Sequence, residues 1–358
     1  MKNALATTPV QHLSLPPTRR RLTTVWLPLL LLASLFTASM LLGGGEYSAW
    51  QAAKYLINIG DARDNNHLDM VMTTLRFPRT LVALAAGAAL GIAGCLLQAV
   101  TRNPLADPGL MGVNAGAALG VVAVISLWGI DTSASVIAAA FAGALIASLL
   151  VLLMASRTRT SWTPLHLVLA GVALAATFRG ATSFLLTSSD VSYDRYRYWI
   201  LGSLSGVSTS EFLAVLPAFV LGAVLALLFS RPTGSLVLGD DVATSLGHRP
   251  SHTRGIAVIA VTFLAGGAVA LCGPIAFLGL LAAFVARWLH KENFFHQLVA
   301  AAWIGASVLV AADIAARLII RPYEAPAGVL LAVIGGPLLI LVARSRGMLT
   351  LRGPGGQI

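Results

Sequence analysis

Residues 76–120 read RFPRTLVALAAGAALGIAGCLLQAVTRNPLADPGLMGVNAGAALG. Two arginines and a proline lead into an apolar run rich in small residues. A polar corner, Thr101-Arg102-Asn103-Pro104, interrupts it, then Asp107-Pro108-Gly109, and a second small-residue run follows. Between Thr80 and Thr101 no side chain is charged, and about 20 such residues suffice to cross a bilayer as a helix. Gly87, Gly91 and Gly94 fall at helical spacing and let a neighbouring helix approach closely. Gln98, one turn further on, is a polar group that needs a partner inside protein.

The rest of the chain extends the pattern. Of 358 residues, 57% are hydrophobic and 11% charged, against about 25% charged in a soluble domain. Spanning segments must be helices or a closed barrel, because lipid offers the backbone no partners. The apolar runs are long and uniform, not short and alternating, so helices are expected. The net charge is +10, yet no soluble segment interleaves bases with aromatics, which speaks against nucleic acid. Two cysteines, Cys95 and Cys272, exclude a disulfide scaffold.

Residues 1–21 are polar and end in three arginines, which gives a cytoplasmic tail before an uncharged run from Leu22 to Gly45. A cleaved leader has an apolar core of about 7–15 residues; this run is longer and is expected to be an uncleaved first span. Residues 46–75 suit an external loop. Further spans are expected at 80–101, 108–130, 132–156, from 165 onward, 212–230, 298–318 and 327–342. The membrane domain is then 22–345, with a tail at 346–358. Residues 255–286 carry no charge, too long for one span and too short for two. Gly273-Pro274 should break this run into a full span ending near Cys272 and a short half-span ending near Arg287. A broken backbone at membrane depth faces protein or a water-filled path, so Gly273 and Pro274 are candidate path residues; a simple kink is the alternative. In this arrangement most of the 24 bases and few of the 14 acids lie on one side, which places both termini in the cytoplasm. AGAALGIAG (86–94) and AGGAVALCG (265–273) fall on oppositely directed spans, as an inverted repeat requires.

Several of these segments together carry a likeness. RFPRTL, AGAALGIAG, Gln98 and TRNPLADPGLMGVNAGA resemble, in order, the hallmark of the iron-siderophore and vitamin B12 (FecCD-type) permease family of bacterial ABC importers. The likeness runs from about Arg76 to Arg344. It implies an all-α polytopic membrane protein of about ten transmembrane helices, the type II importer permease fold with its inverted repeat. It also implies one half of an importer with two permeases and two cytoplasmic ATP-binding subunits, in the bacterial inner membrane. A periplasmic or lipid-anchored binding protein would deliver the cargo. A ferric siderophore is the expected cargo, with haem or a corrinoid as runner-up. Where the family has Pro-His in GLxxPHxxR, this chain has Ala283-Phe284. That departure points to a heterodimer with a different permease chain, pairing with itself being the alternative.

No catalytic set is expected. The three lysines, Lys2, Lys54 and Lys291, lie outside any phosphate-binding G-x-x-x-x-G-K-[ST] loop. No Cys/His spacing suits zinc, and neither a metal nor a cofactor is expected. Nucleotide must therefore bind another chain. An ion-coupled secondary transporter, the reading from another class, would need a mid-membrane carboxylate, and every acid here can be placed at a span end or in a loop.

Residues 231–254 form the one sizeable internal polar loop. In it, SLVLGDDVATSLG reads as a short amphipathic helix bounded by Gly239 and Gly247, with Leu238, Val242 and Leu246 on one face. Asp240 and Asp241 sit in its first turn, where the helix dipole favours acids. By resemblance it is a coupling helix seated on the ATPase; a helix lying on the membrane surface is the alternative. Arg76, Arg79 and Arg317 match the family arginines that receive acidic residues of the binding protein; headgroup anchoring is the alternative, with Asp313 and Arg317 as an i, i+4 pair. Pro164 and Leu165 match the family's inner gate. Arg179 lies mid-span, where an unpaired charge costs at least about 2.5–3.5 kcal/mol. It faces a water-filled path, where it would attract an anionic chelate, or a buried partner.

Overall fold

The fold is given by a computed structural model, which describes residues 17–45, 47–59, 63–156, 164–187, 190–291, 293–321 and 323–344. Among these residues every regular element is helical. In chain order they are α1 (Pro17–Leu41), α2 (Ala49–Leu56), α3 (Asn66–Met70), α4 (Phe77–Thr101), α5 (Val113–Trp128), α6 (Ser133–Ser156), α7 (Pro164–Leu186), α8 (Asp190–Trp199), α9 (Thr209–Leu228), α10 (Ser230–Leu238), α11 (Asp240–Ser245), α12 (Pro250–Cys272), α13 (Leu278–Leu289), α14 (Phe294–Ile319) and α15 (Ala327–Arg344). Six helical segments are long and apolar enough to cross a membrane, and four shorter apolar helices accompany them.

α4 is the axis of the bundle. Apart from Leu81, Leu84, Ala85 and Ala88, every residue from Pro78 to Thr101 is buried. Its largest contact is with α14, followed by α12 and α13. The glycines make this possible. A Cβ at Gly87 would stand 2.5 Å from the Gly305 carbonyl oxygen, one at Gly91 2.0 Å from that of Ala301, and one at Gly94 2.3 Å from that of Gly279. Backbone therefore lies directly on backbone, and dispersion replaces the hydrophobic drive that lipid cannot supply.

Residues 46–75 do not form a plain loop. Ser48 and Gln51 close a capping box on α2. The Asn65 side chain caps α3 by accepting from His67 and Leu68 N–H groups, both at 3.1 Å. From α3 a π-helical turn, Val71–Arg76, leads without interruption into α4, so the helix begins at Asn66 instead of Thr80. Such a turn holds one residue more than an α-turn.

α12 ends at Cys272 and α13 starts at Leu278. The break is held by protein. Ser203 N–H donates to the Cys272 carbonyl at 2.8 Å, and Gly328 N–H donates to that of Gly202 at 2.9 Å. Gly273 has φ +70, and a Cβ there would meet the Trp199 carbonyl oxygen at 2.3 Å. Phe277 takes the left-handed conformation, φ +66, and packs on Gly335 of α15.

Candidate functional site

The two ends of α4 carry two charged constellations. At its entry, Asp313 of α14 is wholly buried. It accepts from Arg79 Nε at 2.9 Å and Nη2 at 2.8 Å, and from Arg317. Arg79 also pairs with Glu324, between α14 and α15. Arg317 Nη1 donates to the Ser39 carbonyl at 3.1 Å, and Arg76 Nη1 to the Met40 carbonyl at 2.8 Å and the Leu41 carbonyl at 3.1 Å. The last carbonyls of a helix have no intrahelical donors; here two arginines serve those of α1. The three arginines singled out from sequence are thus brought together, but they are 5%, 8% and 2% exposed. They offer no free forks to a partner in this structure, because α1, Asp313 and Glu324 already occupy them. Glu324 and the α1 carbonyls were the parts that motif reasoning missed. Glu324 follows no periodic segment, and backbone acceptors leave no mark in a sequence.

At the exit of α4, the expected single short helix within SLVLGDDVATSLG (235–247) is two helices. Gly239, at φ 127 and ψ 159, breaks the chain between α10 and α11, and Gly247, at φ +80, follows α11. Leu236 and Ala243 are fully buried, whereas Leu238, Val242 and Leu246 are 55%, 41% and 60% exposed. Asp241 is exposed. Asp240 instead turns inward to Arg102 and Arg254. Burial would raise its pKa, but the hydrogen bond and charge of Arg254, then those of Arg102, hold it below the ordinary carboxylate value. Gln98 finds its partner in Arg287 of α13.

A third feature lies on α7. Arg179 is exposed and has no ion pair among the described residues of this chain. Leu165, Leu169, Val172 and Phe184 are also exposed on this helix, and nothing lies within 4 Å of the Cβ position of Gly180. Pro164 is half-buried at the start of α7; residues 160–163, the rest of the expected gate segment 160–165, lie outside the described residues. Gly273 is buried against Trp199 and Gly202, and Pro274 is half-buried. Among the described residues no group of three or more His, Cys, Asp or Glu side chains could hold a metal ion.

A bundle of this kind, with one charged cluster at each end of a buried axial helix and apolar faces left open on its flanks, is that of a multi-pass membrane permease. The model of the FecCD transport family matches residues 30–345, and the chain belongs to that family. It is 43% identical over 276 residues to the ferric enterobactin transport system permease protein FepD of Escherichia coli, covering 77% of this chain and 82% of that one. It is 37% identical to the Fe(3+)-citrate import system permease protein YfmD of Bacillus subtilis, covering 84% of this chain and 88% of that one. Among solved structures, an inward-facing metal-chelate type ABC transporter matches with a TM-score of 0.77 at 26% identity, covering 89% of this chain and 98% of that one.

Proposed function

We propose that this chain is a permease subunit of an ATP-driven importer that carries ferric siderophores across the bacterial cytoplasmic membrane. The observation that carries this reading is the knob at the exit of α4. It presents Leu238, Val242 and Leu246 outward over a buried footing, on a chain with no phosphate-binding loop of its own. Apolar anchors on a rigid footing suit a groove on another protein, and Asp241 orients the fit. Two ATPase subunits, one for each of two permeases, would take these knobs from the cytoplasm. Residues 1–21 and 346–358 are then cytoplasmic tails. Replacing Leu238, Val242 and Leu246 together with aspartate is expected to abolish co-purification of the ATPase subunit and uptake of iron-loaded siderophore. Retention of the ATPase by this variant would sink the reading.

The binding protein docks at the entry of α4. Arg76, Arg79 and Arg317 support this surface by holding α1, α4 and α14 together, and the rim around the half-exposed Glu324 meets the partner. A second permease, in the favoured reading a different chain, covers the open face of α7. Arg179 on that face cannot stand in lipid cheaply, so it borders a wet path between the two permeases. Arg179→Gln is expected to lower uptake of anionic ferric chelates about tenfold, a loss of about 1.4 kcal/mol of attraction, and to spare neutral ones. Equal loss for both kinds would show that Arg179 serves the fold and not the cargo.

A further inference from the structure

The two neighbouring aspartates of α11 divide their work. Asp241 faces outward, whereas the Asp240 carboxylate holds Arg102 and Arg254 at once. Arg102 terminates α4 in the left-handed conformation, φ 52, and its Nε donates to the Leu236 carbonyl of α10 at 2.6 Å. Arg254 lies in the second turn of α12, its side chain only 2% exposed. One carboxylate therefore joins the first residue of α11 to the end of α4 and the beginning of α12. α11 is hinged at Gly239, a left-handed residue ends α4, and Arg254 is enclosed by its neighbours. α4 is buried over most of its length and lies backbone on backbone against its neighbours at Gly87, Gly91 and Gly94, so a push on its end moves the whole helix and not a local side chain.

We propose that Asp240 is a positioning residue, a strut through which a displacement of α11 is passed to α4 and α12 during the transport cycle. This rests on the reading of α10 and α11 as the element that meets the ATPase. A carboxylate suits the task because it can bond two guanidinium groups together. Without it, those two like charges face each other and α11 loses its ionic tie to α4 and α12.

The test measures one distance in the assembled complex of permease and ATPase subunits. Cysteines placed by Ser245→Cys on α11 and Asn103→Cys after α4 carry spin labels; both positions are exposed, while Cys95 and Cys272 are buried and escape labelling. With the strut intact, the distance is expected to be the same without nucleotide and with ATP. In Asp240→Asn it is expected to shift on ATP addition, and Asp240→Glu should restore the fixed distance. Arg102→Gln, which keeps the carboxylate, should shift as well and serves if Asp240→Asn does not assemble. A nucleotide-driven shift already present in the wild-type pair, or none in both variants, overturns the strut. Failure of the underlying reading shows elsewhere, in retention of the ATPase by the aspartate-substituted outer face.

Discussion

Asp313→Asn is expected to destabilise the chain by about 3–5 kcal/mol, the usual cost of removing one partner from a buried ion pair. Asp313 is 0% exposed and bonds both Arg79 and Arg317, which are nearly as enclosed. Asparagine keeps the shape and removes the anion, so two guanidinium groups remain with Glu324 as their nearest acid. Glu324→Gln should cost less, because that side chain is 32% exposed and water screens what is lost. Thermal unfolding of the detergent-solubilised chain separates the two variants. A third variant decides what the cluster is for. Arg79→Met, Asp313→Leu and Arg317→Met together replace the ions by apolar groups of similar volume, a change that is often neutral or stabilising. If that chain unfolds like wild type yet no longer imports, the charges serve docking; if it imports normally, they serve assembly alone. An unchanged midpoint for Asp313→Asn would remove the cluster from any account of the fold.

The sequence made the fold legible where the signal was long or punctuated. The uncharged run before Thr101 and the Gly273-Pro274 break each left a strong mark, and α12 ends at Cys272 as the break requires. What stayed hidden was decided by tertiary contact. Residues 66–76 are polar enough to read as loop, yet the Asn65 cap and a π-turn carry helix through them. Leu238, Val242 and Leu246 are spaced for one continuous helix, but Gly239 bends the backbone out of helical space. The exposed hydrophobic set survives the kink because Leu236 and Ala243 fix both halves to the bundle. The charged residues of the entry cluster were legible as types and positions. Their burial was not, because it depends on where α1 ends relative to Arg76 and Arg317, a distance of more than thirty positions along the chain in either case.

The second large effect concerns glycine, and its sign depends on the neighbour. Gly91→Ala gains about 1 kcal/mol of helix propensity. Against this, the new methyl would lie 2.0 Å from the Ala301 carbonyl oxygen, which is backbone of α14 and cannot rotate aside. Overpacking of this kind costs about 1–3 kcal/mol, and Gly91→Leu, with three further carbons to place, should prevent folding altogether. Gly180→Leu is the opposite case. On the isolated chain nothing lies within 4 Å of its Cβ position, so leucine there should leave the unfolding midpoint unchanged or raise it slightly. If a second permease covers α7, the same leucine should prevent the two chains from associating. The two glycines then separate folding from assembly: Gly91→Leu yields no folded chain, and Gly180→Leu yields a stable chain that elutes without its partner. Normal pairing by Gly180→Leu would mean that the α7 face is open to lipid or water in the complex, and the wet path beside Arg179 would have to be bounded by another helix.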